Sequence, residues 1–243
     1  MQFKKNIKTV IINRAVPGSG KSSIAKCIKE RFIKEGLSVE VFSTDDYFLT
    51  KDGRYVFDAM KLAEYHQKNL QLFSEALQNA CNLVICDNTN LLPWDAELYT
   101  EQAREHKYKI ILIDFPPREL EKHLEAQKVT AEKPHAHEVP EETLKEMITA
   151  YYKYWKYLQK NYKAVDGVDV KYDFNQETLQ FEKTNELIKN YDYDKLITIQ
   201  PDKYNQAKEE LPQKILEEAF LMEGAGDFDE NVAYWRELIG IDR

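Results

Sequence analysis

Residues suited by type and spacing to hold a phosphate lie near the start of the chain, in "RAVPGSGKSS" at positions 14–23. Gly20, Lys21 and Ser22 satisfy the end of the pattern G-x-x-x-x-G-K-[ST]. Ala15 stands where that pattern has its first glycine, and it fits without strain if its φ is negative. Gly18 and Gly20 allow positive φ, which turns backbone N–H groups inward toward phosphate oxygens. The positive end of the following helix adds to the cradle. Lys21 is suited to neutralise outer phosphates and Ser22 to ligate Mg²⁺. Pro17, Ser19 and Ser23 complete the lining.

A second group of polar residues follows apolar runs. Asp45 and Asp46 lie in "STDDYF", and Asp87, Asn88, Thr89 and Asn90 in "CDNTN". Two adjacent acids divide the work: one accepts the proton of an attacking hydroxyl, and the other holds Mg²⁺-bound water or a helix end. Position alone leaves open which of Asp45 and Asp46 takes the proton.

The elements that must position these groups are legible from hydrophobic patterning. Short apolar runs at 9–15, 37–44, 82–88 and 108–115 fit parallel strands buried on both faces. Amphipathic segments separate them, the first stopping at Gly36, a helix-ending residue. Alternating strands and helices at this spacing make an open α/β sheet. Ligands of such sheets sit outside the carboxyl ends of the strands. Lys21, Ser22, Asp45, Asp46, Asp87, Asn88 and Asn90 are therefore expected around one crevice.

Beyond residue 116 two helices flank the polar loop "VTAEKPHAHEVP", a helix–loop–helix placed to act as a lid. His135 and His137 lack a third nearby ligand and read as lid contacts. "YYKYWKYLQKNYK" combines lysines and aromatic rings, a composition suited to single strands. The helical spacing favours burial of Tyr151, Trp155 and Tyr162 on one face instead. His66, on an apolar helix stripe, reads as a core histidine.

The chain divides electrostatically into residues 1–163, the expected domain with its lid, and residues 164–243. The latter hold 19 acidic and 9 basic residues, net −10, within an overall −8. This acidic, mainly helical extension is a poor binder of phosphate backbones. Its apolar residues (Leu216, Phe220, Leu221, Tyr234, Trp235 and Leu238) are too many for a disordered tail. It is expected to pack on the first part, or to add a strand from "VDVKYDF" or "KLITIQ", and to offer a surface for a protein partner. Pro212 is expected to break or kink its helix. Cys27, Cys81 and Cys86 have no metal-like spacing and suit a reducing cytoplasm. No apolar run is long enough to cross a membrane.

The ordered set "RAVPGSGKSS … STDDYF … GRYVFD … HQKN … CDNTNLLPW … HEVPEE" over roughly residues 9–155 resembles the polynucleotide-kinase-like P-loop kinases. That resemblance implies an adenylate-kinase-like core with a helical lid. It implies ATP or GTP with Mg²⁺, and transfer of the γ-phosphoryl group to a nucleic-acid 5′-hydroxyl. Lys21 and Ser22 then match the phosphate and Mg²⁺ residues, Asp45 the acid that activates the hydroxyl, and Thr89 and Asn90 the end of the third-strand motif; Asp46 and Asn88 are expected with them on the substrate side, and the H-x-x-N of His66 and Asn69 implies a brace for the acid-bearing loop. Two departures stand out. Phe48 replaces the arginine that follows D-D-Y in the phage enzyme, and no arginine occurs between residues 119 and 235. Lys128 and Lys133 are the nearest lid cations, with Arg118 at the lid's root. A small-molecule kinase, such as the zeta-toxin-like kinases of nucleotide sugars, would share the loop and the acid. A nucleotide-gated interaction module with slow ATPase activity would share the loop and use the acidic extension.

Overall fold

The computed structural model describes residues 7–130, 139–162, 170–175 and 180–221. Its centre is a parallel sheet of five strands in the order β2-β3-β1-β4-β7. These are β1 (Thr9–Ala15), β2 (Val39–Phe42), β3 (Leu83–Cys86), β4 (Lys109–Phe115) and β7 (Lys195–Thr198). Thr9 sits opposite Leu83 on one side and Lys109 on the other. The four expected strands are thus present, each within a few residues of its apolar run.

Period-two alternation sends successive side chains of these strands to opposite layers. On one face Val10, Ile12, Val84 and Leu112 pack beneath α2 (Leu62–Gln78) and α3 (Pro93–Glu105). On the other, Ile11, Ile85, Ile111 and Ile113 meet α1 (Lys21–Lys34) and α6 (Tyr204–Leu221). The first helix ends at Gly36, with φ 73°. Gly36 N–H donates to Ile33 O at 2.9 Å and Leu37 N–H to Phe32 O at 3.2 Å, a paired C-terminal cap.

Of the two candidate extra strands, "KLITIQ" completes the sheet: Ile111 pairs with Lys195 in parallel register. Arg104 clamps the approach to it, its guanidinium on Asp192 at 2.8 Å and Asp194 at 2.7 Å. "VDVKYDF" instead gives β5 (Val170–Asn175), paired antiparallel with β6 (Gln180–Leu187) as a separate hairpin. Helix α6 passes through Pro212 without ending there. Buried Leu211, Ile215 and Leu216 hold it on the sheet, offsetting the roughly 3 kcal/mol a helix-interior proline costs. Residues 187–221 therefore share a core with the first part of the chain. Tyr234, Trp235 and Leu238 lie outside the described residues.

The lid helices are α4 (Leu120–Thr130) and α5 (Glu141–Tyr154). Helix α5 buries Tyr151 at 1% exposure and Tyr154 at 6%, but Trp155 is 49% exposed. The expected face is thus corrected: α5 gives way to a tighter turn at Trp155–Leu158, which changes the angular step and turns Trp155 outward.

Beneath the loop lies a buried ion pair. Arg14 Nη1 donates to Asp114 Oδ1 at 2.9 Å, both side chains fully inaccessible. Arg14 Nε reaches Tyr191 Oη at 3.0 Å and Nη2 the Tyr151 carbonyl at 2.7 Å. The Tyr151 hydroxyl donates to Asp114 Oδ2 at 2.8 Å. One cation thereby ties β1, β4, α5 and the segment before β7 together.

Candidate active site

The loop after β1 follows from its sequence. Ala15 keeps the extended conformation of the strand, is fully buried, and donates its N–H to Thr89 O at 2.9 Å. A side chain at the missing-glycine position is accommodated because positive φ is needed only later, at Gly18 (77°) and Gly20 (88°). At the start of α1, Ser23 N–H already donates to Gly20 O at 3.1 Å, while the amides of Lys21 and Ser22 precede the first helical acceptors. The Ser19 hydroxyl is buried without a protein partner. An orphaned hydroxyl beside free helix-end amides fits an anion of phosphate size.

Tyr204, the first residue of α6, closes the back of this loop. Its hydroxyl donates to Gly20 O at 3.1 Å. A Cβ at Gly20 would lie 2.5 Å from the tyrosine ring. Gly20→Ala, which also meets the left-handed penalty of about 1–2 kcal/mol, is expected to weaken ATP binding at least about tenfold. Isothermal titration would check it, and undiminished affinity would refute the fit.

One cleft of about 570 Å³ runs from the loop across the sheet ends. Lys21, Ser22, Ser23, Asp45, Asp46, Asp87 and Thr89 line it, together with Gly18, Gly20 and Pro17. Lys21 Nζ stands 3.7 Å from Asp87 Oδ1, and Asn13 Nδ2 donates to the same oxygen at 2.8 Å. Asp45 and Asp46 sit in a tight turn, Thr44–Phe48. Tyr55 Oη donates to Asp45 Oδ1 at 3.4 Å. Burial, reinforced by the Asp45 charge, pushes the Tyr55 phenol well above its ordinary value, so it remains a donor at neutral pH.

The asparagines do other work. Asn88 Oδ1 accepts from Thr44 N at 2.9 Å, and its Nδ2 reaches Tyr99 Oη at 3.1 Å. Asn90, held at φ 44°, donates to Asn13 O at 2.8 Å. Neither Asn88 nor Asn90 is part of the cleft wall, where Thr89 is. His66 Nδ1 lies 3.1 Å from Thr44 Oγ1, and Asn69 Nδ2 donates to Tyr99 Oη at 3.0 Å. Together these groups brace the acid-bearing turn through Thr44, Asn88 and Tyr99.

At the lid, Lys128 is exposed and outside the cleft wall, whereas Ala126 and Gln127 of α4 line it. Lys133, His135 and His137 lie outside the described residues. Arg118 Nη2 donates to Gly18 O at 2.5 Å. Its side chain borders a second hollow of about 320 Å³ with Phe115, Ile199, Pro201 and Tyr204, whose wall does not include Asp45. Buried His123 accepts Arg118 N–H on Nε2 at 2.9 Å. Burial, then the neighbouring Arg118 charge, pushes its pKa down to about 4, so its ring is neutral at pH 7. Sequence reasoning missed Tyr55, His123 and Tyr204. "GRYVFD" carried a signal for the first, while Tyr204 is 184 residues from the glycine it covers.

The sequence pattern of a family described as an AAA domain matches residues 10–153, from β1 through most of α5. The chain belongs to this family. Over 117 residues the AAA-domain chain is 36% identical to NEDD4-binding protein 2 of Homo sapiens, an alignment covering 46% of this chain and 6% of that protein. It is 28% identical over 107 residues to the 2′,3′-cyclic-nucleotide 3′-phosphodiesterase of Pongo abelii, covering 44% and 24%. The chain thus spans a minor part of the curated relatives it matches. A putative kinase from Chloroflexus aurantiacus superposes with a TM-score of 0.54 at 12% identity, covering 87% of this chain and 98% of that one. Chaetomium thermophilum Kti12, solved with ADP-AlF3, gives 0.52 at 13%, covering 86% and 97%. A chain of the Pnkp1/Rnl/Hen1 RNA repair complex gives 0.51 at 15%, covering 97% and 86%. The AAA-domain chain accordingly shares the fold of these structures. Among the described residues no helix is long and apolar enough to cross a membrane, and no cluster of metal-ligating residues occurs.

Proposed function

We propose that this AAA-domain protein transfers the γ-phosphoryl group of ATP or GTP to a hydroxyl, with a nucleic-acid 5′-hydroxyl as the acceptor. One observation carries the reading: Asp45 shares a single open cleft with Lys21 and the glycine loop. Catalysis of phosphoryl transfer is mainly positioning and charge stabilisation. Loop amides and Lys21 hold the phosphates, and Asp45 removes the proton of the attacking hydroxyl. The Tyr55 hydroxyl orients the Asp45 carboxylate, while Asp46 and Thr89 face the acceptor. Mg²⁺ fits the donor set of the Ser22 hydroxyl and the Asp87 carboxylate, and would neutralise charge on the phosphates. Arg118 and Tyr204 border the hollow that suits the nucleotide base. The Pnkp1/Rnl/Hen1 neighbour is named as an RNA repair complex, which supports a nucleic-acid acceptor over a sugar.

A transfer assay with γ-labelled ATP, run against 5′-hydroxyl oligonucleotides, nucleosides and nucleotide sugars, tests the acceptor. Lys21→Ala is expected to abolish labelled product or weaken ATP binding by tenfold or more. Unchanged binding and turnover in that variant would remove the basis of the assignment. Label on a nucleotide sugar alone would replace the acceptor.

A further inference from the structure

Immediately beyond Asp45 the chain forms a small hairpin. Leu49 bridges Tyr55 in antiparallel fashion, and Val56 N–H donates to Phe48 O at 2.9 Å. Phe48, the residue that replaces an arginine, is buried at 4% exposure. Its ring is the hub of an aromatic cluster, with centroids 5.7 Å from Tyr55, 5.1 Å from Phe57 and 4.8 Å from Tyr65. Along the same stretch of chain apolar side chains stand exposed. Val56 and Phe57 are each 56% exposed and Met60 is 73% exposed.

This patch is continuous with the candidate active site. Leu49 and Tyr55 form part of the cleft wall, and Phe48 joins Tyr55 to Phe57. Exposed apolar residues at the mouth of a polar cleft mark a binding surface. The geometry points to a base-stacking platform: Phe57, with Val56 and Met60, receives an unpaired nucleobase of the acceptor strand whose end lies at Asp45. The inference rests on the proposed function and names the form of its substrate, a single-stranded end.

Charge supports that occupant. Lys26 and Lys29 line the same cleft as Lys21, and Lys68 lies over the Tyr47 ring, 4.9 Å from its centroid. Aromatic faces beside cations suit a strand that alternates bases with phosphates, whereas a small sugar would leave the apolar patch uncovered.

The test measures binding separately from transfer. A 3′-fluorescent, 5′-hydroxyl hexanucleotide is titrated by anisotropy with the full chain, and again with the first or second nucleotide abasic. Phe57→Ala is expected to weaken binding about 5- to 150-fold, with ATP affinity and melting temperature close to wild type. Phe57→Trp should retain binding. Met60→Ala, at a more exposed position, gives a smaller loss and guards against misfolding. Removing a base from the probe should weaken wild-type binding similarly and Phe57→Ala little further. Equal binding of intact and abasic probes, or full binding by Phe57→Ala, overturns the platform. So does sedimentation showing that Phe57→Ala dissolves a self-associated form while strand binding is unchanged. Should the strand bind through Phe57 yet receive no label from ATP, the platform stands and the transfer reading fails.

Discussion

Asp45→Asn is expected to lower phosphoryl transfer about 10²- to 10⁴-fold, the usual contribution of a general base, while ATP affinity stays within a few-fold. Asparagine keeps the shape of the side chain and its place beside Tyr55, but it cannot accept the acceptor's proton. The Lys21 loop that holds the nucleotide belongs to other elements, β1 and α1, so binding should survive. The tight turn at Thr44–Phe48 presents both acids to the cleft, which makes Asp46→Asn the necessary companion. Asp46 is exposed and Asp45 half-buried; a proton acceptor gains from partial exclusion of water, and this favours Asp45. Single-turnover rates with saturating ATP would separate the two. A large loss confined to Asp46→Asn would exchange their roles.

The second large effect concerns stability. Asp114→Asn is expected to destabilise the fold by about 3–5 kcal/mol, because it strands the Arg14 charge in a fully buried site. Arg14 holds β1, β4, α5 and Tyr191 at once, so the loss should appear both as a lower urea midpoint and as weaker ATP binding. Replacing both partners with apolar residues, Arg14→Met with Asp114→Leu, should recover much of that stability, since the pair must also overcome its own desolvation. A single variant with an unchanged midpoint would show that water reaches the pair. The Arg14–Tyr191 bond also explains why the acidic region cannot be read as a loose appendage: part of it closes the polar network under the phosphate loop.

Much of the site was legible because its signals are local. Glycine, lysine and serine at fixed spacing prescribe a loop, and apolar runs of strand length prescribe the elements around it. Asn88 and Asn90 were less legible. A polar residue at a strand end serves substrate or scaffold equally well in sequence, and here the scaffold's unpaired backbone groups at Thr44 and Asn13 claim them. Trp155 was misplaced because a constant helical step was carried past the point where the helix tightens.

The sequence by itself determined the strand-and-helix alternation, the phosphate loop and the gathering of carboxylates beyond the carboxyl ends of the strands, since each depends on neighbours a few residues apart. Only the tertiary structure decided which distant residues complete the site. Tyr204 against Gly20, Tyr191 on Arg14, and β7 beside β4 join positions far apart in the chain. Such contacts arise from the closing of the sheet and the burial of its two faces, and local spacing does not encode them.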